Sequence, residues 1–124
     1  MVKVWFVSAT IFGFLSVALG AFGAHSLKNF LDGYGKAIYK KAVIYQMFHA
    51  MALLAVGLLQ HLAKDTFFSL AGWGFFVGIL LFSGSFYLLA ITGIKWLGAI
   101  IPMGGIAFLF GWIWFSFSMI KAHI

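Results

Sequence analysis

The sequence predicts an all-α integral membrane protein, folded as a four-helix bundle that runs up-down-up-down. Of its 124 residues, 65% are hydrophobic and only 8% are charged, whereas an ordinary soluble domain carries about 25% charged residues. A domain of this size cannot bury two-thirds of its residues away from water. Four long apolar runs, each bounded by lysine or aspartate, make up most of the chain, so its main solvent is expected to be lipid.

The four apolar runs are long enough to cross a bilayer as helices. They contain 24, 22, 29 and 25 consecutive residues without a charged side chain, and a helix needs about 20 apolar residues to cross the hydrocarbon. Lipid-exposed chains satisfy their backbone groups only as helices or closed barrels. Barrel strands alternate polar and apolar residues, and runs such as Met51–Leu59 do not. The predicted spans are about 4–25, 42–63, 67–91 and 97–120.

Two of the three connections are very short. Lys64 and Asp65 are nearly all that separates the second span from the third, and Thr92–Lys95 separates the third from the fourth. Short links make neighbouring helices antiparallel. The first run is longer than the core of a signal peptide, so we expect it to be retained as a span. The prediction is a single membrane domain over residues 1–124.

The remaining connection, residues 26–41, has an amphipathic pattern. Its apolar and aromatic residues recur at helical spacing, and its lysines fall on another face. This pattern is typical of helices that lie along a membrane surface. We expect a short interfacial segment on the lipid headgroups, and the second interpretation is a lid over a cavity in the bundle. The residues expected at the membrane surface are Lys28, Lys36, Lys40 and Lys41.

The charge pattern favours membrane lipids as partners and argues against nucleic acid. The net charge is +6, and every basic residue is a lysine near the end of an apolar run. Nucleic-acid binding needs a clustered basic face, whereas lysines at span ends hold helices among the headgroups. Five lysines at one end of the bundle and three at the other predict that residues 26–41 are cytoplasmic and both termini outside.

Several kinds of chemistry find no support in the residues present. The chain has no cysteine, which excludes disulfides and thiolate ligands. Zinc needs four ligands from cysteine, histidine or carboxylate. The chain has no cysteine and no glutamate, and two of its four histidines, His61 and His123, lie beside the span-end lysines, so we predict no metal site. No nucleophile is paired with a base and an acid, and no glycine-rich phosphate loop follows a strand. An enzyme is therefore the less favoured class, and the cofactor is left unassigned.

Small residues mark the faces on which the helices are expected to approach closely. Ser16, Gly20 and Ala24 recur at four-residue spacing, and Gly74 and Gly78 form a GxxxG pair. Small side chains are how membrane helices pack closely in lipid. We expect this packing within one chain, and the second interpretation is pairing between copies in a homo-oligomer. The predicted packing residues are Gly13, Ser16, Gly20, Gly23, Ala24, Gly74, Gly78, Gly104 and Gly105.

Polar side chains within the spans form the candidate site. His49 lies about 12 Å beyond Lys41 along a helix, and Tyr45 and Gln46 share its face. Polar groups at this depth are costly and face the bundle interior. We expect a buried cluster, either a satisfied structural network or a ligand or ion site. The candidate ligand-binding residues are His25, His49, Tyr45, Gln46, Ser83 and Tyr87.

A haem held between His25 and His49 is a further hypothesis, because histidine is a usual axial ligand of haem iron. It requires the two residues to lie at similar depth on facing helices. The sequence places His25 at the end of the first span and His49 a turn or two inside the second. This mismatch makes haem the least favoured of the binding hypotheses.

Four blocks of the sequence carry a family resemblance: Gly20–His25, Tyr45–Ala50, Leu81–Leu89 and Leu97–Gly105. They resemble the domain-of-unknown-function 423 family of small bacterial membrane proteins. This family is also called uncharacterised protein family 0382 and is similar to eukaryotic transmembrane protein 256. The resemblance implies four spans and a bacterial plasma-membrane location. It implies no activity, because the family is named for having none assigned.

The residues and the resemblance together predict a small multi-pass membrane protein that binds without catalysis. The expected ligand is a small molecule, a lipid headgroup or an ion, held in a polar pocket inside the membrane. The first alternative is a structural or partner-binding protein in which the polar cluster only joins helices. The second alternative is a haem-binding redox protein.

Overall fold

A computed structural model describes residues 2–123, and residues 1 and 124 of the predicted domain lie outside it. Within residues 2–123 all regular structure is helical, arranged as four spans that are each long and apolar enough to cross a membrane. The prediction of an all-α four-helix membrane bundle is confirmed. The spans are Val2–His25 (α1), Gly33–Ala63 (α2), Thr66–Thr92 and Lys95–Lys121.

The third span is not one uniform helix. It begins with a 3-10 turn, continues as α3, widens into a π-helical turn and ends as α4. π-helical turns are rare and frequently lie at functional sites. This turn lies in the middle of the span, beside the candidate site described below. Its parts are Thr66–Phe68, Ser69–Gly78 (α3), Ile79–Ser83 and Gly84–Thr92 (α4).

The fourth span consists of a 3-10 turn, Lys95–Ala99, followed by α5, Ile101–Lys121. The chain's single proline, Pro102, lies in the first turn of α5. A backbone N–H in the first turn has no helical partner, so proline does not break the helix there.

The α2 helix and the third span form the centre of the bundle. The α1 helix packs chiefly on α2, and α5 packs chiefly on the third span. Trp5 from α1 reaches past α2 to the third span, where its ring lies against Gly72. The fully buried large side chains are Trp5, Leu53, Val56, Phe68 and Phe75.

The connection between α1 and α2 differs from the predicted interfacial segment over 26–41. Asp32 caps the start of α2 by accepting a hydrogen bond from the Gly35 backbone N–H at 2.6 Å. The helix then continues without interruption from Gly33 to Ala63. The separate part is therefore only 26–32. It folds back through Leu27 and Leu31, which are buried in a cluster with Tyr39.

The lysines of α2 all lie within residues 33–41, at its start. A helix of 31 residues is about 46 Å long, whereas the hydrocarbon core is about 30 Å thick. The excess length is expected at the end of α2 that carries its lysines, and the amphipathic residues 33–41 belong to this helix rather than to a separate segment. Its lysines, Lys36, Lys40 and Lys41, are exposed, as is Lys28 in the connection.

Glycines of the third span and α5 bring the two helices into backbone contact. A Cβ atom added at Gly74 would lie 2.8 Å from the Cα of Gly111, and one added at Gly104 would lie 2.4 Å from the backbone N of Phe82. Both distances are too short for a real side chain, so these positions require glycine. Gly78 similarly accommodates the ring of Phe108.

The packing positions predicted in α1 behave differently from one another. Gly23 accommodates the ring of Tyr39, and a Cβ at Gly20 would lie 3.3 Å from Val43. Ser16 is fully buried and donates to the Gly13 carbonyl at 2.8 Å. Two further α1 positions are not at close helix contacts, because a Cβ added at Gly13 meets nothing within 4 Å and Ala24 is exposed. The same holds for Gly105 of α5, where an added Cβ would lie 3.9 Å from Phe82.

Candidate functional site

The polar residues predicted as one cluster separate into two groups on α2. The first group is centred on Gln46, which is buried. Its side-chain Nε2 donates to the Phe12 carbonyl of α1 at 2.9 Å, and its Oε1 accepts from the Tyr87 hydroxyl of α4 at 2.6 Å. Ser83 donates to the Ala42 carbonyl at 2.9 Å. These bonds join α1, α2 and the third span. The Gln46 amide and the hydroxyls of Ser83 and Tyr87 are thus hydrogen-bonded within the protein.

Tyr39 belongs to the same network and was missed by the sequence analysis. Its hydroxyl donates to the Leu19 carbonyl of α1 at 2.6 Å, and its ring meets that of Tyr87 edge to face at 5.2 Å. The available signal was its position seven residues before Gln46, on the same helix face. We define Tyr39, Gln46, Ser83 and Tyr87 as the α2 network.

The second group is centred on His49, one turn further along α2. His49 Nδ1 lies 2.8 Å from the Tyr45 carbonyl, and the indole Nε1 of Trp112 in α5 lies 3.0 Å from His49 Nε2. A carbonyl only accepts and an indole N–H only donates. The ring is therefore the neutral tautomer with its proton on Nδ1. Its face stacks on Phe108 at 3.6 Å between ring centroids.

Trp112 is a second residue that the sequence analysis did not select. It lies among many aromatic residues of the fourth span, and nothing in its spacing separates it from the others. The signal available in principle was its indole N–H, which seeks a hydrogen-bond acceptor when it is surrounded by apolar groups.

A groove of about 690 Å³ lies between α2 and α5, with the π-helical turn contributing Phe82 to its wall. We call it the α2–α5 groove. Tyr45, His49 and Trp112 supply its polar side-chain groups, and the other lining side chains are aromatic or aliphatic. The sequence analysis expected a polar pocket, whereas this groove is largely apolar. Its lining residues are Ile44, Tyr45, Phe48, His49, Phe82, Pro102, Gly105, Ile106, Phe108, Leu109 and Trp112.

The structure does not bring His25 to this site. Gln46 is level with Phe12 through their hydrogen bond, and His25 is the last residue of α1. The two levels are about 20 Å apart along the helix axis. His25 is exposed at the end of its span. The haem hypothesis required His25 and His49 on opposite sides of one iron, and this separation contradicts it.

The arrangement of titratable groups gives no assembled metal site in residues 2–123. No three or more histidine or acidic side chains in this part of the chain lie together in a group that could hold a metal ion. Both ring nitrogens of His49 are already hydrogen-bonded. A metal ion at His49 would therefore have to displace either Trp112 or the Tyr45 carbonyl.

The fold and the two polar groups define a class of protein: a small multi-pass helical membrane protein with a lateral groove beside a neutral histidine. A family model described as a protein of unknown function (DUF423) matches residues 19–105. The chain belongs to this family. The resemblance stated from the four sequence blocks is thereby confirmed.

Two relatives match nearly the whole chain. The UPF0382 membrane protein YwdK of Bacillus subtilis is 41% identical over 120 residues, which cover 96% of this chain and 98% of the relative. The UPF0382 membrane protein SSP2132 of Staphylococcus saprophyticus is 40% identical over 111 residues, which cover 90% of this chain and 92% of the relative. No solved structure matches the chain. The relatives support a membrane protein whose activity is not assigned.

Proposed function

We propose that the protein is a non-enzymatic membrane binder that holds a lipophilic small molecule in the α2–α5 groove. The observation that carries this proposal is the groove itself. It is about 690 Å³ in volume, which is within the range of small-molecule sites. It is mostly apolar, with a few polar groups at one point, as such sites usually are.

The lining favours a neutral, largely apolar ligand over an ion. No carboxylate lines the groove, and burying an unpaired charge in an apolar environment is very costly. Of the polar groups present, His49 already uses both ring nitrogens. The Tyr45 side chain is 41% exposed, so its hydroxyl can meet one polar group of a ligand. The rings of Phe82 and Phe108 supply flat apolar surface.

The ligand would reach the groove sideways from the bilayer. Ile106 and Leu109, on the α5 edge of the groove, are 65% and 64% exposed. His49 is about 12 Å inside the membrane from Lys41, so this edge faces acyl chains rather than water. Such an opening admits molecules dissolved in lipid and excludes polar solutes.

Filling the groove tests the proposal. Gly105 lines the groove, and a Cβ added there meets only Phe82 at 3.9 Å. Gly105→Leu should therefore fold normally while its side chain occupies the groove. The matched control is Gly13→Leu, since Gly13 also has open space but lies on α1, away from the groove. Both variants and the wild type are purified from native membranes, and the lipophilic molecules that copurify are identified by mass spectrometry.

The proposal expects one molecule that is retained by the wild type and Gly13→Leu and reduced at least tenfold in Gly105→Leu, relative to bulk phospholipid. A wild-type protein that carries nothing beyond bulk lipid would contradict it. Equal retention in all three proteins would place the molecule elsewhere on the surface and would also contradict it.

We further propose a bacterial plasma-membrane location, with residues 26–41 on the cytoplasmic side. This rests on the lysine excess at that end of the bundle. Because the chain has no cysteine, single cysteines can report the orientation. An impermeant maleimide should label His123→Cys in intact cells and label Asn29→Cys only after lysis. The reverse pattern would overturn the orientation and leave the groove proposal unaffected.

The alternative of an oligomer built through the glycine faces gains no support from the contacts. Gly74 and Gly104 are occupied by α5 and the π-helical turn of the same chain. Self-association would therefore have to use positions other than Gly74 and Gly104.

A further inference from the structure

A second groove lies at the opposite end of α2 from Ala63, where α1 ends and the extended part of α2 begins. Its volume is about 450 Å³. Gly20, Gly23 and Val43 form part of an apolar floor, and Lys28, Lys36 and Lys40 form the rim. We call it the lysine groove. The α2–α5 groove lies on another side of α2, and of the residues named for the two grooves only Ile44 belongs to both.

From this arrangement we infer that the lysine groove is a binding site for an anionic phospholipid. The phosphate would lie among Lys28, Lys36 and Lys40, and one acyl chain would lie along the apolar floor between α1 and α2. The inference is independent of the α2–α5 groove, because it uses different residues and a different class of ligand.

Charge complementarity selects the anionic headgroup. Three lysines line the groove, and no acidic side chain does. The nearest acid in the sequence, Asp32, lies outside the lining and caps α2 through the Gly35 N–H. Its single negative charge leaves the three lysine charges in excess. The end of α1 and the start of α2 carry helix-dipole charges of opposite sign, so their effects offset each other. The lysines therefore give the lysine groove a net positive charge.

Depth in the membrane selects a lipid over a soluble anion. The extension of α2 past the hydrocarbon places Lys36 and Lys40 in the headgroup layer, as argued from its length. Below them, Val43 and Ile44 continue the groove into the hydrocarbon. A molecule that fills the site must therefore carry a negative group and an apolar chain at this spacing, which is the structure of a phospholipid.

Local geometry distinguishes this site from general attraction to a charged surface. Lys40 lines the groove, whereas its neighbour Lys41 is equally exposed and does not. The two residues have the same charge, helix and depth. Likewise Ala24 lines the groove, whereas Ala21 on the same exposed stretch of α1 does not. These two pairs supply matched variants.

The test is native mass spectrometry of the full chain in detergent with equal amounts of palmitoyl-oleoyl phosphatidylglycerol and the phosphatidylcholine of the same chains. The wild type should retain phosphatidylglycerol at least tenfold over phosphatidylcholine. Lys40→Gln and Lys36→Gln should each lower that retention about fivefold, the effect of one lysine near anionic lipid. Lys41→Gln should change it less than twofold.

The acyl-chain part of the site is tested separately. Ala24→Leu should lower phosphatidylglycerol retention at least threefold by filling the floor, and Ala21→Leu should leave it unchanged. Glycerol 3-phosphate, which has the headgroup chemistry without the chains, should not displace the lipid. Equal retention of the two lipids, equal effects of Lys40→Gln and Lys41→Gln, or displacement by glycerol 3-phosphate would each overturn the inference.

Should a variant fail to fold, as judged by tryptophan fluorescence during heating, the wild-type lipid preference and the competition with glycerol 3-phosphate still decide the outcome. Neither measurement depends on the α2–α5 groove. A failed test of the lysine groove would therefore leave the proposed function unaffected, and a failed test of the proposed function would leave the lysine groove unaffected.

Discussion

Gln46 and His49 lie one turn apart on the same helix, yet their side chains form hydrogen bonds with different helices. Gln46 lies in a closed contact with α1 and α4, where every bond it makes joins one helix to another. His49 lies directly against α5 at the side of a groove, stacked on Phe108 and hydrogen-bonded by Trp112. Burying a polar group in a membrane is costly in both places. At Gln46 the cost is offset by bonds that join α1, α2 and α4. At His49 it is offset by bonds to the Tyr45 carbonyl and from Trp112, at the side of a groove.

The contact of α1 with α2 is closer than that of α5 with α2, because of where the glycines lie. On α5, Gly104 and Gly111 face the third span and hold α5 against it. Contact between α2 and α5 is left to larger side chains, chiefly Trp112, Phe108 and His49. Large rings on both sides keep the two helices apart, and this separation creates the groove. On the other side, Gly20 and Gly23 let α1 approach α2 closely.

The largest expected effect comes from changing the glycines that hold α5 in place. Gly104→Ala would put a methyl group 2.4 Å from the backbone N of Phe82, which cannot move aside as a side chain could. We expect a loss of about 3 kcal/mol in the free energy of unfolding, measured by tryptophan fluorescence during denaturation in micelles.

The neighbouring glycine is the control for this substitution. Gly105→Ala meets only Phe82 at 3.9 Å, an ordinary contact, so its effect should stay below about 0.5 kcal/mol. Similar losses for the two alanine variants would show that α5 is not held by the close approach at Gly104, and the explanation of the groove would be wrong.

A smaller effect is expected from breaking the α2 network. Gln46→Leu removes the acceptor of the Tyr87 hydroxyl and leaves that hydroxyl unpaired, at a cost of about 1–2 kcal/mol. Adding Tyr87→Phe removes the unpaired group, so the double variant should be more stable than Gln46→Leu alone. Strictly additive losses in this double-mutant cycle would mean that the two side chains do not interact.

The smallest effect on stability is expected at the groove. Trp112→Phe removes one interhelical hydrogen bond, worth about 0.6 kcal/mol in a membrane. The clearer measurement is the ¹⁵N NMR spectrum of His49, which should show a protonated Nδ1 and an unprotonated Nε2 in the wild type. The Nε2 signal should shift in Trp112→Phe as its hydrogen bond is lost. A wild-type ring protonated on Nε2 would contradict the bonding described here.

Much of the fold could be predicted because charged residues are costly inside a membrane span, so their positions indicate where each span ends. Lysine and aspartate mark the ends of all four spans, and lipid leaves only helices for the segments between them. The start of α2 at Gly33 was not predicted, because the amphipathic lysine pattern indicated a separate interfacial segment over residues 26–41. Asp32 instead caps α2, which begins at Gly33. Lys36, Lys40 and Lys41 lie within this helix and indicate only where the hydrocarbon is expected to end.

The candidate site could be predicted only in part. Depth alone identified Gln46 and His49 as buried, since polar groups in a membrane turn inward. Which neighbour each one meets depends on how α1 and α5 pack around α2, and no local spacing encodes that. The same limit explains why Trp112 was missed. Its role comes from lying opposite His49, and the two residues are far apart in the sequence.

Gln46 is expected to stabilise the bundle, whereas the α2–α5 groove beside His49 is proposed to bind a ligand. Comparing Gln46→Leu with Gly105→Leu in one experiment separates these two roles. Thermal unfolding and copurified lipophilic molecules are measured on the same preparations. We expect Gln46→Leu to unfold at lower temperature but still carry the molecule, whereas Gly105→Leu should unfold like the wild type and lose it. Retention of the molecule by Gly105→Leu, or its loss from Gln46→Leu in proportion to stability, would contradict the claim.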